Sequence, residues 1–321
     1  MIFVENEFAP LKKVVLAQSE FGYPLEPRPE DLRFLSKDAV KENFENRGKD
    51  YSEVFPDLQK RWELERTNLK KTLEKYGVQV LRPRKLTDTE KKAVGNAGYS
   101  NFFVRDPFFT VGNHVIESSL RFLHRRNEVF PIRDLFIEEI YPEDCYYLAV
   151  PSPEIADPED TTLGKGPFLE GGDVLVFGKQ VFVGNSGLAS NSLGIQWLEK
   201  LLKPQGYTVE EVKLHRDILH LDCALGLVKE GLMIICEEAF LEGIPTALKN
   251  WKRIDVTLHE AMNLATNGLS VSPEVYITDP EFKHIGDQIE QYGIKVEYID
   301  FSISRSFGGS FRCSTQPLLR H

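Results

Sequence analysis

The chain has 321 residues, of which 41% are hydrophobic and 27% charged, a balance that excludes a disordered, coiled-coil or collagen-like protein and leaves room for one large domain or two ordinary ones. Lys and Arg number 39 against 49 Asp and Glu, a formal net charge of −10. That argues against a general nucleic-acid binder but suits a small cationic substrate drawn into an acidic cleft.

No apolar run approaches the roughly 20 residues that span a bilayer, and the opening MIFVENEFAPLKK lacks the features of a signal peptide. The four cysteines, Cys145, Cys223, Cys236 and Cys313, follow neither a zinc spacing nor a dense disulfide framework. A cytoplasmic protein with reduced thiols is expected, with no membrane or nucleic-acid partner; association into a homo-oligomer stays open.

In chain order, LKKVVLAQ reads as a strand near the N-terminus. The polar stretch from Glu26 to Thr89 reads as helical in two parts, interrupted at Phe55-Pro56. Its second part places Leu58, Trp62, Leu69, Leu73 and Tyr76 at helical spacing, with one gap where Glu65 and Arg66 stand, and Gly77 is the expected stop. VQVLRP (Val78 to Pro83) then reads as a buried strand.

A strand–turn–strand shape recurs at PFFTVGNHVIES, VLVFGKQVFVGN, ALGLVKEGLMIIC and GLSVSPEVYITD, turning at Gly112-Asn113, Gly178-Lys179, Lys229-Glu230-Gly231 and Ser272-Pro273. Two copies continue as a helix, a glycine stop and a strand: SLGIQWLEKLLKPQGYTVEEVKL and EFKHIGDQIEQYGIKVEYIDF. LKKVVLAQ and VQVLRP are candidates for another copy. A period of roughly 40 to 60 residues with a hairpin and a helix per copy predicts a radial array of about five small α/β units, in one domain over 1–321. A doubly wound parallel sheet fits less well, because its strands alternate singly with helices. No glycine-rich phosphate loop has the spacing of a nucleotide fingerprint.

Four polar clusters stand at strand ends of the repeats: Arg105-Asp106-Pro107, Glu170-Gly171-Gly172-Asp173, His220-Leu221-Asp222 and Gly308-Gly309-Ser310-Phe311-Arg312-Cys313. A radial array brings such ends together, so the four are read as one pocket. A lone cysteine is most often a small buried hydrophobe. Cys313 differs from the other three in following a glycine pair among Arg312, Ser314 and Thr315, a polar and partly cationic setting that marks it as the nucleophile candidate. His220 is the acid–base candidate: with Asp222 two residues on, strand geometry would put both on one face. Asp106 has a turn-capping reading beside the functional one. Glu170 and Asp173 flank a glycine pair, where turn and catalytic roles both fit. Carboxylates meeting at a cleft need a cation, a metal or a shared proton. His220, Asp222, Glu170 and Asp106 are a possible oxygen-and-imidazole metal set, but an organic cation is the preferred partner, with no metal and no cofactor.

The set RDP, EGGD, HLD and a late glycine pair with a cysteine four residues on resembles the guanidine-modifying superfamily of arginine deiminases, dimethylarginine dimethylaminohydrolases and amidinotransferases, in order from near Leu11 to Arg320. The resemblance implies a five-bladed α/β propeller. It implies that Cys313 attacks the guanidinium carbon to form an amidino-cysteine and that His220 protonates the departing amine and then activates the incoming nucleophile. It further implies that Asp106 and Asp222 grip the guanidinium nitrogens while Glu170 completes the catalytic group. EGGDVL and RCSTQPLLR resemble the hydrolases, whereas VRDPFFTVGNHVIES, the downstream Arg125 and Glu128, and NSLGIQWLEKLL resemble the amidinotransferases. Arg121, Arg125 and Arg305 are candidate contacts for the far end of the substrate, with surface ion pairing as the alternative. Hydrolysis of a guanidino C–N bond is favoured over amidino transfer. A non-catalytic binding protein and a papain-like protease are the remaining readings; the carboxylate cluster is wrong for the oxyanion hole and neutral pocket of the latter.

Overall fold

The computed structural model describes residues 1–154, 157 and 160–321. All four hairpins read from the sequence form as antiparallel pairs: Phe108–Val111 with His114–Glu117, Val174–Phe177 with Gln180–Asn185, Leu225–Lys229 with Leu232–Ile235, and Leu269–Ser272 with Val275–Thr278. To each, a third strand adds in parallel after a connection: Tyr146–Ala149, Thr208–Lys213, Lys252–Asp255 and Lys295–Tyr298. The predicted helices lie in two of these connections, at Ser192–Leu202 and Lys283–Glu290. A parallel pairing needs such a crossover, so the glycine-stopped helices of the sequence supply it.

The fifth sheet joins distant parts of the chain. Leu11–Leu16 pairs antiparallel with Thr315–Arg320 and parallel with Gln79–Leu81, while Phe3–Val4 lies parallel on the far side of Thr315–Arg320. LKKVVLAQ and VQVLRP therefore do form one more copy, with the C-terminal strand as hairpin partner. VQVLRP is buried only at its ends, Val78 and Pro83; Gln79 is exposed and Val80 and Leu81 are half-buried, because the strand ends the sheet. The result is an α/β fold of small sheets.

The crossover in this fifth sheet is the helix Pro56–Lys75, with Pro56 in its first turn, where a missing N–H costs nothing. Trp62, Leu69 and Leu73 are fully buried along the expected stripe. The polar gap in that stripe is buried too. Glu65 accepts the backbone N–H groups of Ile303 (2.7 Å) and Ser304 (3.0 Å), satisfying the open N-terminus of the short helix Ser302–Ser306. Arg66 donates to Ser304 Oγ (2.9 Å) and to the carbonyls of Gln18 and Phe102 (both 3.1 Å). A helix distant in sequence thus anchors the segment that leads to Cys313.

Candidate active site

The chemistry-bearing residues share one structural position. Each sits in the turn that enters the first strand of a hairpin: Asp106 before Phe108–Val111, Glu170 and Asp173 before Val174–Phe177, His220 and Asp222 before Leu225–Lys229, Cys313 before Thr315–Arg320. His220 and Asp222 do not lie on a strand, as the alternation argument expected. Leu221–Cys223 is a single 3-10 turn, and the strand begins only at Leu225. The turn aims the two side chains apart within the same buried region: His220 towards Glu170, and Asp222 towards Arg312 and Cys313.

His220 Nε2 is 2.9 Å from Glu170 Oε2, and its Nδ1 is 3.7 Å from Asp106 Oδ1. Burial alone would push the imidazole down. The Asp106 charge, the Glu170 hydrogen bond and the Asp173 charge outweigh it and raise its pKa to about 10. His220 is therefore held as an imidazolium at neutral pH. Burial likewise opposes ionisation of Asp106, but the His220 and Arg125 charges and the N–H of Gly172 (2.9 Å to Oδ1) keep its pKa below the ordinary value. Gly172 is required by close approach: a Cβ there would lie 2.6 Å from both Asp106 Oδ1 and His220 Nδ1.

Cys313 is 2% exposed, with its sulfur 3.7 Å and 4.0 Å from the two carboxylate oxygens of Asp222. Burial and the charges of Asp222 and Asp106 push its thiol well above the usual range. The Arg312 charge still pulls the thiol down but is outweighed, because that guanidinium is shared with Asp222 Oδ2 (2.8 Å) and Glu7 (3.0 and 3.1 Å). The glycine pair upstream is a close-packing device. Side chains at Gly308 and Gly309 would collide with Phe34 and Phe103, and Gly308 has φ +85°.

The structure brings Cys313, His220, Glu170, Asp106 and Asp222 into one buried cluster of clefted turns, and places the three candidate arginines differently. Arg125 enters the carboxylate web itself. Its guanidinium lies 2.8 Å from Asp106, spans both oxygens of Glu128 at 2.9 Å, and reaches Glu170 at 3.5 Å. Arg121 donates its backbone N–H to Glu170 (3.0 Å) while its side chain binds the carbonyls of Thr162 (3.0 Å) and Gly187. Arg305 sits on Asp279 (3.1 Å) and Glu281.

Three residues of the cluster escaped sequence reasoning as site residues. Asn267 Oδ1 accepts the backbone N–H groups of Ser310 (3.1 Å) and Cys313 (3.2 Å), bracing the turn that carries Cys313. It precedes the strand Leu269–Ser272 by two residues, as Asp106 and Cys313 precede theirs; the repeat was the signal that pointed to it. Glu128, seen in the sequence only beside Arg125 as part of a resemblance, is the partner of that arginine, and Glu7, which carries no local motif, is the partner of Arg312.

Ligand atoms of Asp106, Glu170 and His220 lie within 4.8 Å of one another, the spacing of a metal site. Arg125 already places its positive charge on both carboxylates, so a divalent ion would have to compete with a fixed guanidinium. A cavity of about 470 Å³ borders the cluster, lined by Phe34, Phe103, Phe122, Leu219, Phe307 and Arg125 among others. Arg125 is the one residue of the predicted set on its lining among the described residues. Also among them, no helix is long and apolar enough to cross a membrane.

The fold and the relatives of the chain are those of the guanidine-modifying superfamily of enzymes. The chain belongs to the family described as N,N dimethylarginine dimethylhydrolase, eukaryotic, whose model matches residues 28–320. It is 33% identical to the uncharacterized protein YkgA of Bacillus subtilis (strain 168) over 219 residues, 68% of this chain and 69% of that one. It is 25% identical to inosamine-phosphate amidinotransferase 1 of Streptomyces glaucescens, over 100% of this chain and 97% of that protein. Among solved structures, the inosamine-phosphate amidinotransferase of Streptomyces griseus superposes with a TM-score of 0.83 at 22% identity, covering 100% of this chain and 97% of that one. Dimethylarginine dimethylaminohydrolase of Pseudomonas aeruginosa superposes with a TM-score of 0.66 at 17% identity, covering 96% and 99%. The chain is thus an enzyme that processes guanidino groups.

Proposed function

We propose that the chain is a cysteine hydrolase that cleaves a C–N bond of a guanidino substrate, in a single domain over 1–321 whose five sheet units are the blades of an α/β propeller. The observation that carries this reading is the charge arrangement around Cys313. A thiol faces the Asp222 carboxylate at 3.7 Å, beside an imidazolium held by Glu170 and Asp106. That geometry disfavours a thiolate while the site is empty and favours one once a cation lies against Asp222.

In the proposed reaction, Asp106 and Asp222 take the guanidinium nitrogens, and the arriving positive charge lets the Cys313 thiol lose its proton to bulk water. The Cys313 sulfur forms a bond to the guanidinium carbon. His220 gives its proton to the departing nitrogen as that C–N bond breaks, which leaves a planar amidino-cysteine and a neutral imidazole. A water then attacks the same carbon and His220 takes one of its protons. The C–S bond breaks as the remaining hydroxyl proton passes to sulfur, releasing a urea-type product and restoring the thiol. Glu170 holds the imidazole in position throughout.

The second reading, amidino transfer to an amine, is supported by the amidinotransferase relatives that align over the whole chain. It shares the first half of the reaction and differs in what reaches the adduct. The test is turnover of the best guanidine in isotopically labelled water without an acceptor amine. Steady release of a labelled urea-type product supports hydrolysis; product that forms only after an amine is added, carrying the intact amidino group, establishes transfer. An intact-mass measurement that finds no guanidine adduct on Cys313 would remove both.

A further inference from the structure

The cavity beside the cluster has a lining of one chemical character. Its volume of about 470 Å³ falls in the range of small-molecule sites, with space well beyond a guanidinium. Arg125 and Leu219, the neighbour of His220, bring it to the edge of the cluster. Phe103, packed against Gly309, brings it to the nucleophile turn.

Its walls are aromatic. Phe34 and Phe122 stack at 6.3 Å with their planes 9° apart, and His124 continues the stack on Phe122 at 5.8 Å and 10°. Phe102 and Phe307 form another part of the lining, 5.3 Å apart. Such faces attract cations and apolar chains and offer nothing to an anion.

The charges on the lining agree. Among the described residues, two arginines line the cavity, and both are engaged. Arg125 is on Asp106 and Glu128, and Arg28 is on Asp31 (3.3 Å) and the Asp160 carbonyl (3.1 Å). His124 carries no charge at neutral pH, since burial and the adjacent Arg125 push its pKa down to about 3. Against these stand Glu26, Glu30 and the buried Asp31 on the same lining. Burial holds Asp31 up at about 6 even with Arg28 and Arg121 beside it, so another cation would be welcome there.

Resting on the function proposed above, we infer that the substrate is a guanidine whose far end is a cationic amine on an apolar chain, rather than a carboxylate or a phosphate. An anionic end would enter aromatic walls and meet carboxylates without a spare cation to receive it. An amine would lie against ring faces and reach Asp31.

The test compares guanidines with the same four-carbon chain ending in an amine, a hydroxyl or a carboxylate, with free arginine as a fourth. Calorimetric affinity for the full-length Cys313→Ala protein is the primary readout, because it does not require turnover. The amine should bind at least about tenfold more tightly than the carboxylate, a separation of about 1.4 kcal/mol, and the hydroxyl should fall between. Asp31→Asn and, at an exposed position, Glu30→Gln should narrow the gap without weakening the hydroxyl compound. Equal or tighter binding of the carboxylate or of arginine overturns the inference, as does failure of the amine to bind. Adduct formation on Cys313 of the unmodified enzyme is scored separately. Its absence with every guanidine would count against the hydrolase reading, whatever the order of affinities.

Discussion

The Cys313 sulfur lies 3.7 Å from the Asp222 carboxylate, as a thiol donating directly to Oδ2. The Arg312 guanidinium approaches Asp222 from elsewhere and is shared with Glu7. Replacing Asp222 with Asn removes a neighbouring anion, so the thiol pKa must fall. Opposing and like charges at this range shift a pKa by about one to three units. Ultraviolet titration of the thiolate should therefore find its onset at least about one unit lower in Asp222→Asn, with turnover lost. An unchanged titration would mean that burial alone holds the thiol up.

His220 makes stability depend on pH in a defined window. Its folded pKa, about 10, lies above the ordinary value of 6.5. The stabilisation is complete below that ordinary value and is lost as pH rises through the folded one. The melting temperature should decline between about pH 6.5 and 10 in the natural protein and more weakly in His220→Gln. Asp173 and Glu128, each raised by burial to about 7, act in a lower window, between their ordinary values and 7. The difference between the two proteins above pH 7 therefore isolates the histidine. Parallel curves across that range would contradict the charged imidazole.

Arg125 neutralises a web that has few other cations. Without it, the buried Asp106, Glu128 and Glu170 face one another with His220 as the remaining positive group. Breaking one partner from a buried ion pair typically costs about 3 to 5 kcal/mol. Urea unfolding of Arg125→Gln should show a loss of that order, and Arg125→Lys a smaller one, since lysine restores the charge but not the bidentate contact with Glu128. Wild-type stability in Arg125→Gln would show that the web is not structural.

Gly172 tests geometry alone. Its substitution by Ala places a methyl group 2.6 Å from Asp106 Oδ1 and His220 Nδ1, so both side chains must shift. Misplacement by about 1 Å can cost 10²-fold in rate. We expect Gly172→Ala to fold and to lose activity on about that scale. Near-normal turnover would show that the Asp106–His220 spacing does not matter to the reaction.

The repeat was legible because hairpins are local. Gly112, Gly178 and Gly231 take positive φ at their turns, and alternating apolar residues on either side specify the pairing. The clusters were legible for the same reason, each being a short run at the entry to a strand. Contacts between distant residues were not. Glu65 and Arg66 broke an apolar stripe and read as a flaw; the flaw is a buried polar seam joining the helix to Ser304, some 240 positions away. Arg125 read as a contact for a distant part of the substrate because only its motif, and not its three carboxylate partners, can be seen along the chain. VQVLRP read as buried because apolar content does not reveal which strand ends a sheet.

The strand Thr315–Arg320 has a consequence for how the enzyme comes into being. It slots between Phe3–Val4 and Leu11–Leu16, with Arg320 bonded to the carbonyls of Ala9 (2.8 Å) and Ser270 (2.7 Å), and Cys313 stands two residues before it. Pairings across so much intervening chain carry the largest loop-closure cost and belong with the slow events of folding. The sulfur cannot take up its place opposite Asp222 until that strand has docked. Even with the other hairpin sheets complete, a chain at that stage does not hold the Cys313 thiol in line with Asp222. Recovery of activity on refolding should accordingly lag behind recovery of secondary structure, so that the enzyme is silent until Thr315–Arg320 has met Leu11–Leu16.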